Sequence, residues 1–336
     1  MEAIFDSFNQ LTVLVVGDVM IDSYLWGKST RLSPEAPVPI VNVVRKEKRL
    51  GGAANVALNV QALGATPLLC SVIGEDFAGA ELLRLMEEQQ LPTDGIIKSS
   101  ERITTVKERI MAGGQQLLRI DAEVETELLE HESAHLVQQY SKLLPLADVV
   151  IFEDYDKGVL TSANIAAMLE LARQHDIPTV VDPKKKNFLS YVGCTLFKPN
   201  LKELKEGLKM DFADSNHVAF ENAVLTLQKK LKTPTVLITL SERGVFYLAG
   251  TEKKHIAAHL RTISDVSGAG DTVISIAALC LALSLPVAFA AGLSNLGGGL
   301  VCEQVGVVPI DKSSLLVEAQ RTNTFQLISA SRVINY

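Results

Sequence analysis

The sequence is poor in cysteine, in aromatic residues and in basic charge, and each shortage closes off a class of function. Four cysteines, Cys70, Cys194, Cys280 and Cys302, are spread over 336 residues without a CxxC pair. That pattern excludes a disulfide scaffold and predicts buried, reduced thiols in a cytoplasmic protein. Aromatic residues are 5% of the chain, and 32 Lys plus Arg face 39 Asp plus Glu for a formal net charge of −7. A nucleic-acid binder needs a basic stripe or stacking platforms, so nucleic acid is excluded as a partner. Positive charge is then local, placed where a small anionic ligand binds. The opening Met1-Glu2-Ala3-Ile4-Phe5-Asp6 has no basic segment and no long apolar run, so no secretory signal is expected. No charge lies between Asp271 and Glu303. Length alone would allow a membrane span there, but Pro286 divides the stretch and Gly292 and Gly297-Gly298-Gly299 thin it. Two buried helices are expected instead, with no membrane partner.

What the chain does contain is a strand-helix rhythm. Thr12–Gly17 is a continuous β-branched run, and similar runs recur at 148–152, 179–182 and 235–239. Continuous rather than alternating hydrophobicity predicts strands buried on both faces of a parallel sheet. Helical patterns over 81–90, 128–144, 162–175 and 219–231 separate them, so the fold class is α/β, with helices on both faces of a mainly parallel sheet. Two segments break the rhythm, at about 23–44 and 95–121. Each alternates with period two, and Gly113-Gly114 punctuates the second. They read as short antiparallel strands inserted to form a small β-sheet lid.

Two motifs mislead. His131-Glu132-Ser133-Ala134-His135 matches HExxH, but its helix is amphipathic, with Leu129, Leu136, Tyr140 and Leu143 on the apolar stripe and both histidines on the wet side. Gly27-Lys28-Ser29 resembles the end of a phosphate-binding loop, yet the required upstream glycine position is Asp22. A GxGxxG fingerprint is missing after the first strand, which argues against a nicotinamide enzyme.

The chemistry lies elsewhere. Gly268-Ala269-Gly270-Asp271 enters the charge-free helical stretch. Glycines at a helix start leave N–H groups open to an anion, and the helix dipole favours a phosphoryl group there. Asp271 beside that hole is a candidate general base for a substrate hydroxyl. Gly51-Gly52-Ala53-Ala54-Asn55 opens another helix, where Asn55 can bind a sugar hydroxyl. Asp18 and Asp22 follow the first strand, where open α/β sheets bind ligands, although a turn would explain them equally well. Asn200 and Glu203, three apart at a helix start, suit either a capping pair or the waters of a bound Mg²⁺.

In this order, Gly17-Asp18, Gly51 to Asn55, Asn200 to Glu203 and Gly268 to Asp271 resemble the ribokinase-like carbohydrate kinase superfamily, over about residues 10 to 310. Arg31 to Pro39, Gly51 to Ala57 and Asp154-Tyr155-Asp156-Lys157-Gly158 resemble its branch acting on D-glycero-β-D-manno-heptose 7-phosphate at the anomeric oxygen, for lipopolysaccharide precursors. The resemblance implies a three-layer α/β/α domain over 1–336, ATP and Mg²⁺ as cofactors, and a homodimer through the lid. It makes Asp271 the base and Gly268, Ala269 and Gly270 the anion hole. Asp18 and Asn55 hold sugar hydroxyls, with Asp22, Gly51, Gly52 and Asp154 on the same side. Asn200 and Glu203 order Mg²⁺, and Ser241, Gly244 and Asn295 line the nucleotide. The second phosphate of such a substrate needs cations: Lys107 and Arg109 share a face of the lid hairpin, and Lys157 and Lys184 follow strand ends. Each is also explained as a solvated surface residue. That branch is often fused to an adenylyltransferase; no His-x-Gly-His motif occurs here, so the kinase module alone is expected, with a separate adenylyltransferase downstream. Glu153, where serine is usual, Gly297-Gly298-Gly299 and Gly306-Val307 depart from the pattern. A kinase for fructose phosphates or nucleosides and a non-catalytic sugar-phosphate sensor are the alternatives.

Overall fold

β-Branched runs bury both faces of a central sheet, and the residue order along each run decides which layer it feeds. The structure, a computed structural model, describes residues 1–322, 324, 326 and 327, so the end of the expected 1–336 domain lies outside the described residues. After α1 (Glu2–Phe8), β1 (Thr12–Gly17) runs into a hairpin of β2 (Val19–Leu32) and β3 (Pro39–Gly52), and then α2 (Ala53–Ala62). β4 (Thr66–Gly74), α3 (Phe77–Glu88) and β5 (Ile96–Ser99) precede a second hairpin, β6 (Thr105–Ala112) and β7 (Gln115–Ala122). Alternation resumes with α4 (Glu130–Leu143), β8 (Val149–Glu153), α5 (Ser162–Gln174), β9 (Thr179–Asp182), β10 (Leu196–Phe197), α6 (Leu201–Leu208), α7 (His217–Leu231) and β11 (Thr235–Thr239). A last hairpin, β12 (Val245–Ala249) and β13 (Glu252–Ile256), leads to α8 (Ala269–Ala282), α9 (Val287–Val301) and α10 (Lys312–Arg321).

Among the described residues nine strands form one sheet, ordered β13-β12-β11-β10-β9-β8-β1-β4-β5. It is parallel from β11 to β5, with β12 and β13 antiparallel at one edge. Val13 and Val15 of β1 pack into the layer under α2, α8 and α9, while Leu14 and Val16 feed the layer under α4, α5 and α7. Period-two alternation of two apolar sets gives the expected α/β/α sandwich. The charge-free stretch becomes α8 and α9, both buried, and no helix among the described residues is long and apolar enough to cross a membrane. Their close approach depends on glycine: a Cβ on Gly298 would fall 2.8 Å from Val273 Cγ2.

The lid differs from expectation in three ways. It is a four-stranded sheet, β3-β2-β6-β7, whose first hairpin begins directly after Asp18 and whose strands β2 and β3 are 14 residues each rather than short. β2 pairs with β6 in parallel, so the lid is mixed, not antiparallel. Residues 96–99 pair with β4 in the large sheet, so the second insertion begins at Thr105 rather than near 95. Gly51 and Gly52 therefore end a lid strand and hand the chain straight to α2.

On α4, His131 and His135 are exposed and Glu132 is buried. Glu132 accepts the Leu129 N–H at 3.0 Å and the Ser99 hydroxyl, a helix-capping role, while Leu136 and Tyr140 carry the buried face. Leu129, expected on the apolar stripe, is exposed at the helix start.

Candidate active site

The chain enters α8 through Gly268 at φ 80°, a left-handed conformation that glycine adopts without strain. Helix geometry leaves the first N–H groups after it without intrahelical acceptors, at the positive end of the dipole. Asp271 is the third residue of α8 and 5% exposed. Each of its oxygens has a donor. Asn55 Nδ2 donates to Oδ2 at 2.6 Å, and the Tyr155 hydroxyl donates to Oδ1 at 3.1 Å. Asn55 reaches it because Ala53, Ala54 and Ala57 keep α2 slim against α8, where Thr272 also bonds Asn59 at 2.8 Å. Asn55, expected to hold a sugar hydroxyl, thus spends its amide on Asp271, and its Oδ1 is buried without a partner. Burial pushes the Asp271 carboxyl up to about 6; nearby Asp182 adds to this, while Asn55, Tyr155 and Lys198 pull it down.

Sequence reasoning did not place Glu153 and Asp182 beside Asp271. Glu153 ends β8 and Asp182 ends β9, and their carboxylate oxygens lie with one from Asp271 within 4.8 Å of one another, a group with metal-ligand chemistry. Lys198 Nζ stands 2.7 Å from Asp182 Oδ2, and Asp182 holds its ammonium above the usual range despite burial. Glu153 is wholly buried with neither oxygen hydrogen-bonded; burial first, then Asp182 and Asp271, drive its carboxyl far upward. The rule applied to Asp18, a carboxylate at the C-terminal end of a parallel strand, would have found both.

A cavity of about 1110 Å³ opens from this corner. Gly268 to Asp271, Asn200, Glu203, Ser241, Gly244, Asn295, Gly298 and Gly299 line it. Asn200 and Glu203 form a reciprocal capping box on α6, each accepting the other's N–H at 2.8 Å. Ser241 and Gly244 flank a tight turn closed by the Leu240 N–H on Gly244 O at 2.7 Å, and Asn295 donates to Ala257 O at 2.9 Å. Lys184, expected near the substrate phosphate, lies in this cavity, 2.8 Å from Glu203 and 5.0 Å from the centre of the Tyr155 ring.

On the lid side the other expected cations are held by carboxylates. Arg109 pairs with Asp22, and a Cβ on Gly51 would collide with that Asp22 carboxylate. Lys107 contacts Glu123 at 2.8 Å and Asp121 at 3.4 Å, and Lys157 contacts Glu123 and Glu125 at 2.9 Å each. Two expected sugar contacts face elsewhere. Asp18 accepts the backbone N–H groups of Tyr155 at 2.8 Å and of Lys157 and Val159 at 3.1 Å, fixing the turn after β8. Asp154 turns to the opposite layer, where it accepts from Tyr191 at 2.7 Å and Asn187 at 3.2 Å; burial, with Asp18 adding, pushes it up to about 7. Gly52, at φ 59°, lies so close to Asp18 O that a side chain would not fit.

The sheet-helix sandwich with its β-lid thus sets a buried carboxylate at a glycine-led helix start on the wall of a large cavity. The chain belongs to the pfkB family of carbohydrate kinases, whose model matches residues 10–313. It is 38% identical over 315 residues to the bifunctional protein HldE of Syntrophotalea carbinolica, covering 94% of this chain and 64% of that protein. To HldE of Wolinella succinogenes it is 39% identical over 295 residues, 88% of this chain and 62% of the relative. The chain thus spans just under two thirds of these relatives. Phosphofructokinase-2 from Escherichia coli, solved in complex with potassium, matches with a TM-score of 0.76 at 17% identity, over 94% of this chain and 99% of that one. Arabidopsis thaliana ribokinase, solved with ribose and ATP, matches at 0.71 and 16% identity, over 91% and 98%. These structural likenesses establish the fold.

Proposed function

We propose that the chain is a kinase that transfers the γ-phosphoryl of MgATP to the anomeric hydroxyl of D-glycero-β-D-manno-heptose 7-phosphate, giving the 1,7-bisphosphate. The observation carrying the reading is the buried Asp271 carboxylate, held from both sides at the start of α8 on the cavity wall. The identity to HldE proteins supports the heptose, and the cations Lys107, Arg109 and Lys157 suit its distal phosphate. Asp271 takes the proton of the anomeric hydroxyl as its oxygen bonds to the γ-phosphorus and the bond from that phosphorus to the β-phosphate oxygen breaks to release ADP. The N–H groups of Gly268 and Gly270, with that of Ala269, which also reaches Val266 O at 3.3 Å, receive the charge of the transferred group. Asp22, Gly51, Gly52 and Asn55 shape the sugar side, while Ser241, Gly244 and Asn295 shape the nucleotide side. Asp121, Glu123 and Glu125 hold Lys107 and Lys157 in place until the phosphate competes for them.

Asn200 Oδ1 and Glu203 Oε2 are oxygen donors at the cavity wall that each make one capping bond and keep a lone pair, while Glu203 Oε1 accepts from Lys184 at 2.8 Å. That set fits a hydrated Mg²⁺, which would offset phosphate charge when bound. We further propose a homodimer through the lid. β7 is an edge strand exposed along its whole length and carries Leu117, Leu118 and Ile120 outward. A cytoplasmic location suits the four buried free thiols, and a separate adenylyltransferase would consume the 1-phosphate.

The test is a panel of sugar phosphates with MgATP, following ADP release and product phosphorus NMR. Turnover selective for the heptose 7-phosphate with a new anomeric phosphate signal supports the reading. Faster turnover of a fructose phosphate or a nucleoside replaces the acceptor. Bound ATP with no turnover across the panel overturns catalysis in favour of a sensor.

A further inference from the structure

Tyr155 touches both halves of the site. Its hydroxyl donates to Asp271 Oδ1 at 3.1 Å, and its ring faces the Lys184 ammonium, which in turn pairs with Glu203 at 2.8 Å. Its backbone is held where it leaves β8. Asp18 accepts the N–H groups of residues 155, 157 and 159, and Asp156, at φ 57°, donates its own N–H to Asp154 at 2.9 Å. A turn fixed by this many bonds delivers the phenol to one place. We propose that Tyr155 is a positioning residue: its hydroxyl orients the Asp271 carboxylate for proton transfer, and its ring links that carboxylate to the Lys184–Glu203 corner. The proposal rests on Asp271 being the base.

A carboxylate has about four acceptor directions. Asn55 from α2 takes one on Oδ2 and Tyr155 takes one on Oδ1, so one direction on each oxygen remains for the acceptor hydroxyl. With Asn55 alone the group is held at a single oxygen and its plane is free to turn. The other charged or titratable groups facing Asp271 are Glu153 from β8, Asp182 from β9 and Lys198 after β10, and none of them donates to it in a hydrogen bond. The phenol is a permanent donor, because burial and then the Asp271 and Glu153 charges push its ionisation far above the usual range.

The experiment compares Tyr155→Phe, Tyr155→Leu and Asp271→Asn in MgATP and heptose 7-phosphate assays across pH. Tyr155→Phe keeps the ring and loses one donor to the charged base. Its kcat is expected to fall about tenfold, and the acid limb of its pH profile to rise by roughly one unit, with the KM for ATP within about twofold of wild type. Tyr155→Leu also removes the face that meets Lys184, so its KM for ATP is expected to rise as well. Aspartate 13Cγ NMR supplies a readout that needs no turnover. The resonance lost in Asp271→Asn identifies the base, and in Tyr155→Phe it is expected to titrate at higher pH. An unmoved acid limb and an unmoved titration in Tyr155→Phe, with Asp271→Asn inactive, overturn the role of Tyr155 alone. An active Asp271→Asn overturns the base itself.

Discussion

Replacing Asp271 by asparagine is expected to remove activity and yet stabilise the fold, and the pH at which each effect appears follows from the same burial. The carboxyl lies at 3.8 in the unfolded chain and is pushed up to about 6 in the folded protein, chiefly by burial. The folded state therefore holds this proton more tightly than the unfolded state. Below both values the group costs nothing; as pH rises the unfolded chain ionises first, and a penalty grows until it reaches about 3 kcal/mol above pH 7. About half of that is already present at pH 5. Asparagine carries no such penalty, but its amide meets one donor, Asn55 or Tyr155, with the wrong polarity, which costs about 1 kcal/mol. The variant is then expected to exceed wild type by about 1–2 kcal/mol at pH 8, and its advantage over wild type to grow by about 1 kcal/mol between pH 5 and pH 8. Urea unfolding at those two pH values measures it. Turnover is expected to fall about 10²–10⁴-fold, and wild-type kcat to halve near pH 6 and drop about tenfold by pH 5 as the base protonates. A stability difference that is the same at both pH values would refute the argument, because a buried ionised carboxylate has to leave that signature.

Three further outcomes test other parts of the site. A Cβ on Gly270 would stand 3.5 Å from Asp182 Oδ2 and 3.6 Å from Lys198 Nζ, so Gly270→Ala is expected to keep stability within about 0.5 kcal/mol while losing at least about tenfold in kcat, read by unfolding and ADP release. Lys107→Ala is expected to raise the KM for the sugar phosphate by about tenfold or more and leave the KM for ATP unchanged, since its ammonium lies on the lid, away from the nucleotide wall. Leu118→Lys with Ile120→Lys puts two charges on the exposed edge strand of the lid, and light scattering is expected to report a dimer for wild type and a monomer for the variant.

What was legible in the sequence was local. The glycine-led entry to a charge-free helix announces Asp271 within a few residues, because a helix start needs no partner to make an anion hole. The alternation of Lys107 and Arg109 puts both on one face, because strand geometry has period two. What was not legible depends on pairings distant in the chain. The parallel register of β2 against β6 joins lid segments that are separated by α2, α3 and two strands of the large sheet, and no turn chemistry encodes it. Asn55 reads as a sugar ligand by its place in a Gly-rich entry, yet its amide is claimed by a carboxylate 216 residues away, and Tyr155 by the same carboxylate 116 residues away. Asp18 shows the converse: a strand-end aspartate that reads as a ligand is consumed by three amides and acts by fixing the turn that carries Tyr155. The division has a mechanistic consequence. On the proposed mechanism Asp271, announced by a local motif, exchanges a proton with the reacting hydroxyl, so its loss falls on kcat. On the same mechanism Tyr155, placed there by the fold, sets the orientation and proton affinity of that carboxylate, so its loss shifts the pH profile as well as kcat. Asp271 and Tyr155 sit on opposite sides of that line while sharing one hydrogen bond, which makes the pair the place where the distinction can be measured.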